Sequence, residues 1–261
     1  MKTATFVTAT TVFLLFTGAV SAGGAGSDAA AELTWRIEKL AFGCEAKVDT
    51  DQPRDGAGSL CLRTQTEDPA AWLTFVQARM LRRDGQPLGR LDELVEDGSL
   101  SVDFFRHPDS GDGLPGYTLP YVTVHVRTRD GKEAALLWES AYNGYPPREK
   151  AVVPEGRWLN DVSIDDGIFW MRYQGRNYNR GAGFRPLDVY AKGHTASHAG
   201  LKSLKLGPDA QVMAVGVGSG PNLPGLLLAY VDDVRLAFGK DQQYQWNFEP
   251  AGPVRDDGGE E

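Results

Sequence analysis

From Leu33 onward, clusters of Gly, Pro, Asp and Asn break the chain at short intervals, and the stretches between them leave little room for a long amphipathic helix. Those stretches carry period-two alternation or continuous apolar character, which is how the strands of an all-β sandwich read. The clearest expected strands are Gly58 to Thr64, Ala71 to Val76, Ser99 to Arg106, Tyr121 to Thr128, Ala134 to Glu139, Trp158 to Ile164, Gln211 to Val217 and Leu226 to Phe238. In the fourth of these, Tyr121, Thr123, His125 and Arg127 alternate with Val122, Val124 and Val126, so one face is buried and the other wet. Arg129-Asp130-Gly131-Lys132 then supplies an Asp-Gly hairpin turn. Helical pattern is confined to a turn or two around Leu91-Asp92-Glu93-Leu94, within Arg79 to Asp97. No internal repeat supports a propeller or solenoid. With 261 residues, 41% of them hydrophobic, one antiparallel β-sandwich is the economical expectation.

The first 22 residues read as an export signal: Lys2, an apolar stretch peaking at Val12 to Phe16, and the small-residue site Val20-Ser21-Ala22. Thr8, Thr10, Thr11 and Thr17 interrupt that stretch, so an uncleaved anchor is the lesser alternative, and no other window suits a transmembrane span. Residues 23–32 form a Gly/Ala-rich linker, 33–250 the sandwich domain, and 251–261 an acidic, Gly-rich tail expected to be disordered. The predicted location is secreted, extracellular or periplasmic. Lys and Arg total 27 against 35 Asp and Glu, a formal charge of −8 with the cations scattered, which argues against nucleic acid as a partner. In an oxidising compartment the two cysteines, Cys44 and Cys61, are expected to form a disulfide worth roughly 3 kcal/mol, with two buried thiols as the alternative.

Motifs for catalysis are sparse. The carboxylates of Leu91 to Asp97 lack the order of the laminarinase-like hydrolases, and Asp165-Asp166-Gly167 reads as hairpin chemistry. His194 and His198 have the spacing of a helical zinc pair, but Gly193 and Gly200 favour a loop. Gly216-Val217-Gly218-Ser219-Gly220 follows a strand and runs into Pro221, so it reads as turn material rather than a phosphate loop. The aromatic residues are more suggestive. Trp138, Tyr142, Tyr145, Trp158, Trp170, Tyr173 and Tyr178 interleave with Asn143, Asp161, Arg172, Gln174, Arg176 and Asn177. Flat rings that stack on pyranose faces, beside planar polar groups that bond hydroxyls, are what a sugar-binding surface needs. Trp138, after Leu136-Leu137, is assigned to the core.

Four segments carry a resemblance: LGRLDELVEDGSLSVDFFR (88–106), LLWESAYNG (136–144), GRWLNDVSIDDGIFWMRY (156–173) and VMAVGVGSGPNLPGLLLAYVDDVRLAF (212–238). Together they resemble a domain of secreted, often multi-modular bacterial proteins, similar to the galactose-binding-like and carbohydrate-binding-module jelly rolls. Such domains end in a strand of the form Gly-x-x-Tyr-Val-Asp-Asp/Asn-Val-x-Leu, matched by Ala229 to Leu236 with Ala229 where Gly is common. The resemblance implies a jelly-roll, galactose-binding-like or concanavalin-like sandwich that binds glycans or adheres without catalysis. It also implies a structural calcium at Asp232 or Asp233, with Glu45, Asp49 or Asp51 as partners; a surface role for the Asp pair is the alternative. The resulting expectation is a secreted monomer that binds a polysaccharide or glycoprotein surface through Trp158, Trp170, Tyr142, Asn143, Tyr145, Tyr173 and Arg172. Two other readings stand beside it: a glycoside hydrolase or lyase using Glu139, Asp161 or Asp166, and a protein-adhesion domain.

Overall fold

The computed structural model describes residues 12–14, 33–39, 44–66, 76–111, 114–143, 152–180, 183–220 and 225–250. In chain order the early strands are β1 (Val12–Leu14), β2 (Leu33–Lys39), β3 (Cys44–Asp49), β4 (Ser59–Thr66), β5 (Val76–Arg82) and β6 (Gly89–Arg90). The middle strands are β7 (Ser99–Arg106), β8 (Tyr121–Arg127), β9 (Glu133–Trp138), β10 (Trp158–Ser163), β11 (Ile168–Tyr173) and β12 (Arg176–Tyr178). The last are β13 (Arg185–Pro186), β14 (Ser197–His198), β15 (Leu201–Lys202), β16 (Gln211–Ser219), β17 (Gly225–Phe238) and β18 (Gln242–Trp246). Among the described residues the short helices are α1 (Leu91–Glu96), α2 (Ser140–Asn143) and α3 (Leu187–Ala191).

The fold is an all-β antiparallel sandwich. The larger sheet runs β1-β2-β5-β16-β8-β9-β11-β12, with β13 on β11 and β6 on β16. The smaller runs β10-β7-β17-β4-β3, with β18 on β17. The expected leader and linker lie outside the described residues except β1, which pairs with the outer edge of β2. The tail 251–261 also lies outside them. Among the described residues no helix is long and apolar enough to cross a membrane.

Period-two alternation selects the faces that meet. Val122, Val124 and Val126 of β8 point inward with Met80, Val215, Val217, Leu136 and Phe169, against Leu60, Leu62, Val102, Phe104, Val231 and Val234 of the other sheet. Two ring contacts tie the layers: Phe104 stacks on Trp138 at 6.3 Å, and Trp35 meets Phe248 edge-on at 5.5 Å. Trp138 is thus core, as the sequence suggested. Burying each such side chain contributes roughly 1.5–3 kcal/mol. The hairpin at Arg129 to Lys132 also forms, with Thr128 N–H donating to the Lys132 carbonyl at 2.9 Å and Gly131 at φ 81°.

Three local readings change. The strand expected at Ala71 to Val76 falls mostly outside the described residues, and the observed strand there occupies Val76–Arg82; α1 forms where the short helix was expected. The Asp165-Asp166-Gly167 turn is not a hairpin. It carries the chain from β10 in the smaller sheet to β11 in the larger, and Asp165 accepts the Leu100 N–H at 2.9 Å to hold that crossing. Finally, Gly216 to Ser219 belong to β16 rather than to a turn.

The Asp232-Asp233 pair marks a change of partner within β17. Up to Val231 one edge pairs with β4, and from Val234 it pairs with β18, while the register with β7 shifts between Asp232 and Arg235. Asp233 adopts φ 48°, a left-handed conformation that Asp tolerates better than most residues. Asp232 accepts the Phe248 N–H at 3.1 Å and the Asp55 N–H at 3.4 Å, and Asp233 takes Arg235 and Gln245. A calcium ion here would meet backbone N–H donors and a guanidinium instead of open oxygens, and Asp49 is taken by Lys47 at 2.9 Å. The donors do not fit the ion, and no group of three acidic, His or Cys side chains converges elsewhere among the described residues.

The disulfide expectation is also corrected. In the β3–β4 register Cys44 faces Thr64 and Cys61 faces Lys47, three positions apart on β4, so the two sulfurs leave opposite faces of the sheet. Cys44 joins the main core, and Cys61 packs with Phe105 and Tyr230 on the outer side, where burial pushes its thiol up to about 11. A reductant is therefore expected to leave the unfolding midpoint unchanged; a drop on reduction would restore the bridge.

Burial also pushes the Asp232 carboxyl up to about 7, and Asp103 opposite it is raised for the same first reason. The folded chain holds protons that the unfolded chain releases near its ordinary value of 3.8. This contribution is present at about pH 4 and below, and is lost as pH rises toward 7. Urea unfolding from about pH 4 to 7 should show Asp232→Asn with a shallower decline in stability than wild type. Equal slopes would remove Asp232 as the titrating group.

Candidate functional site

The outer face of the larger sheet carries a groove whose shape begins in β16. This strand lies between β5 and β8, and its outward positions are Ala214, Gly216 and Gly218. Their register partners are Leu81 and His125, Arg79 and Thr123, and Gln77 and Tyr121. A Cβ on Gly216 would lie 2.2 Å from Gln77 Nε2 and 2.3 Å from Thr123 Oγ1, and one on Gly218 would lie 2.7 Å from the Tyr121 ring. The glycines are therefore required by close side-chain approach. In the space they leave, His125 Nε2 lies 2.9 Å from Gln77 Nε2 and 3.1 Å from Thr123 Oγ1.

Arginines form the two sides. Arg36 on β2 and Arg79 on β5 are register partners, and both reach Glu38, at 3.2 and 2.9 Å. Each keeps a buried Nε with no hydrogen-bond partner among the described residues. Across the floor stand Arg172 at the end of β11 and Gln174 in the β11–β12 turn, with Ala135 and Ala214 between. The space enclosed is about 380 Å³. Burial, then the charges of Arg79 and Arg36, push His125 down to about 3, so its ring is neutral at physiological pH. Burial likewise lowers Arg79 and raises Tyr121. A trough with a small-residue floor and planar amide, imidazole and guanidinium groups at its sides suits a ligand rich in hydrogen-bonding groups. A wider depression of about 680 Å³ lies among the turns at 128–132 and 202–210, beside Tyr173. It is built on loops, and its Lys132 is tied to Asp130 at 2.6 Å.

The residues expected to form an aromatic platform are not gathered on one surface. Arg172 lines the groove. Trp170 shares that outward face but is only 6% exposed, and its indole N–H donates to Glu139 at 2.9 Å. Trp158 lies on the outer face of the smaller sheet, 5.6 Å from Phe105. Tyr173 packs against the core, and exposed Tyr142 rests 4.4 Å from Phe184. Asn143 is a structural lock, donating to the Glu139 and Ile168 carbonyls at 3.0 Å and accepting the Ile168 N–H at 2.7 Å. Tyr145 lies outside the described residues.

The expected catalytic carboxylates are also separated. Glu139 follows β9 of the larger sheet and is raised by burial, Asp161 of the smaller sheet pairs with Arg235, and Asp166 accepts Ser163 Oγ at 3.0 Å. His194 follows α3 and His198 sits in β14, so the two do not share a helix. The groove residues that the sequence reading passed over include Arg36, Arg79 and Ala214, and beside them stand Gln77 and the β16 glycines. Their signal was a Gly-x-Gly step continuing a strand, beside the wet face of Tyr121 to Arg127.

No protein-family model matches the chain, and no curated protein matches it. Solved structures similar to it include an exo-β-agarase, at 12% identity and TM-score 0.37, covering 88% of this chain and 25% of that one. A second is a carbohydrate-binding module of the β-sandwich superfamily, at 11% identity and TM-score 0.30, covering 79% of this chain and 57% of that one. A third is the family 11 carbohydrate-binding module of a cellulosomal cellulase of Clostridium thermocellum, at 10% identity and TM-score 0.35, covering 92% and 96%. The chain thus spans a quarter of the first and 57% of the second.

Gly216→Ala should push Gln77 or Thr123 off His125 and lower stability by about 1–3 kcal/mol, the range for overpacking a well-filled site. Chemical denaturation measures this, and an unchanged midpoint would mean that the glycine is not needed for the close approach.

Proposed function

We propose that this chain is an exported, non-catalytic glycan-binding sandwich that receives a polysaccharide chain in the groove on the outer face of its larger sheet. The observation that carries this reading is the built trough itself. Its floor is made of the small residues Ala135 and Ala214 beside His125, and Arg36, Arg79, His125 and Arg172 stand on paired strands. Groups fixed by a sheet lose little freedom when they bind a hydroxyl-rich ligand, so each hydrogen bond is retained at low entropic cost. Non-catalytic binding is supported by the structural partners of the carboxylates considered for catalysis. Glu139 holds Trp170, and Asp161 holds Arg235. Export rests on the N-terminal Lys2, apolar stretch and Val20-Ser21-Ala22 site.

Depletion of the purified chain from solution by a panel of insoluble and immobilised polysaccharides tests the proposal. At least one glycan should remove it, and Ala135→Trp, which fills the groove between His125 and Arg172, should abolish that retention with the unfolding midpoint preserved. Trp158→Ala, on the opposite sheet, should bind like wild type. Retention unaffected by Ala135→Trp, or lost only with Trp158→Ala, would move the site off this groove.

A further inference from the structure

The groove has a charge character that the whole chain does not share. The chain carries a formal charge of −8, yet Arg36, Arg79, Arg82 and Arg172 line this one trough, Arg82 being held by Asp84 at 2.8 Å. Among the described residues Arg36 and Arg79 share one ion-pair partner, Glu38, whose four lone-pair directions cannot satisfy ten N–H donors. The mismatch is visible in the two buried Nε atoms left without a partner. Among the described residues the carboxylate lining the groove itself is Glu133, exposed at one end. The floor between the arginines adds no negative charge: it consists of Ala135, Ala214 and a histidine held neutral.

From this we infer that the groove selects a polysaccharide bearing sugar carboxylates, a polyuronate, with the Arg36–Arg79 pair as the carboxylate receptor and Arg172 meeting the chain across the floor. The inference rests on the glycan-binding reading and deepens it. A planar carboxylate matches the fork of a guanidinium, and paired hydrogen bonds to charged groups are stronger than those to neutral hydroxyls. A neutral glycan would leave the surplus donors unmatched and desolvated beneath it, a cost that discriminates against it.

The test measures retention and affinity of the purified chain on polygalacturonate and alginate, on their methyl-esterified forms, on dextran sulfate, and on neutral glucans and xylan. Polyuronate should bind, and esterification should weaken binding about tenfold or more. Added salt should weaken it as well. Arg79→Gln and Arg172→Gln should each reproduce the loss with the unfolding midpoint checked, and esterification repeats the test with the protein unaltered should Arg79→Gln fail to fold. Binding to neutral glycans with no preference for the acid form would overturn the charge inference and leave the glycan reading standing. Preference for dextran sulfate over polyuronate would overturn the carboxylate assignment. Retention by none of the glycans would overturn both readings.

Discussion

β17 has to serve two partners along one edge, and the sandwich is organised around how it does so. Fourteen residues long, it pairs with β7 on one side while the other side passes from β4 to β18. A regular strand cannot change partners without leaving backbone groups unpaired, and unpaired groups at this depth cost about 1–3 kcal/mol each. Asp232 and Asp233 resolve the conflict. One carboxylate accepts the N–H groups of Phe248 and Asp55, and the other draws in Arg235 and Gln245. Asp103, opposite Asp232, accepts the Asp161 N–H at 2.7 Å and Arg54 Nε at 3.0 Å, so the bulge in β10 is held by the same cluster. The cost is three buried carboxyls, offset by backbone N–H groups and two arginines.

With the smaller sheet fixed in this way, the larger sheet presents its outer face to solvent. β16 runs through it and carries Ala214, Gly216 and Gly218 on its outward side, where larger side chains of a central strand would be expected to pack. The same smallness lets Gln77, Thr123 and Tyr121 lean over the strand and orders His125 between two of them. Groove and fold therefore share residues. The inward side of β16, Val212, Val215 and Val217, fills the core while Ala214 on its outward side lies in the floor.

Much of the fold was legible. Alternation located β7 and β8 nearly residue for residue, because a half-buried strand must alternate. Where the reading slipped, a second constraint was at work. Gly216 to Ser219 looked like a turn because glycine and serine favour turns, but they continue a strand in which Gly216 and Gly218 allow close side-chain approach. Asp165-Asp166-Gly167 looked like a hairpin because a tight turn has the same chemistry whether it joins neighbours or crosses between layers. The cysteines looked paired because composition gives their number and compartment but not the face each one leaves.

The site was less legible for a related reason. Arg36, Arg79, His125 and Arg172 lie on four different strands, and nothing in their spacing along the chain joins them. By itself the sequence determined the all-β class, the inward and outward faces of the strongest strands, the hairpin at Asp130-Gly131 and the core position of Trp138. Those properties follow from local periodicity and turn chemistry. Tertiary structure alone decided which strands became neighbours, and hence that arginines from β2, β5 and β11 face one another across β16, because strand order and register arise from pairing between distant segments.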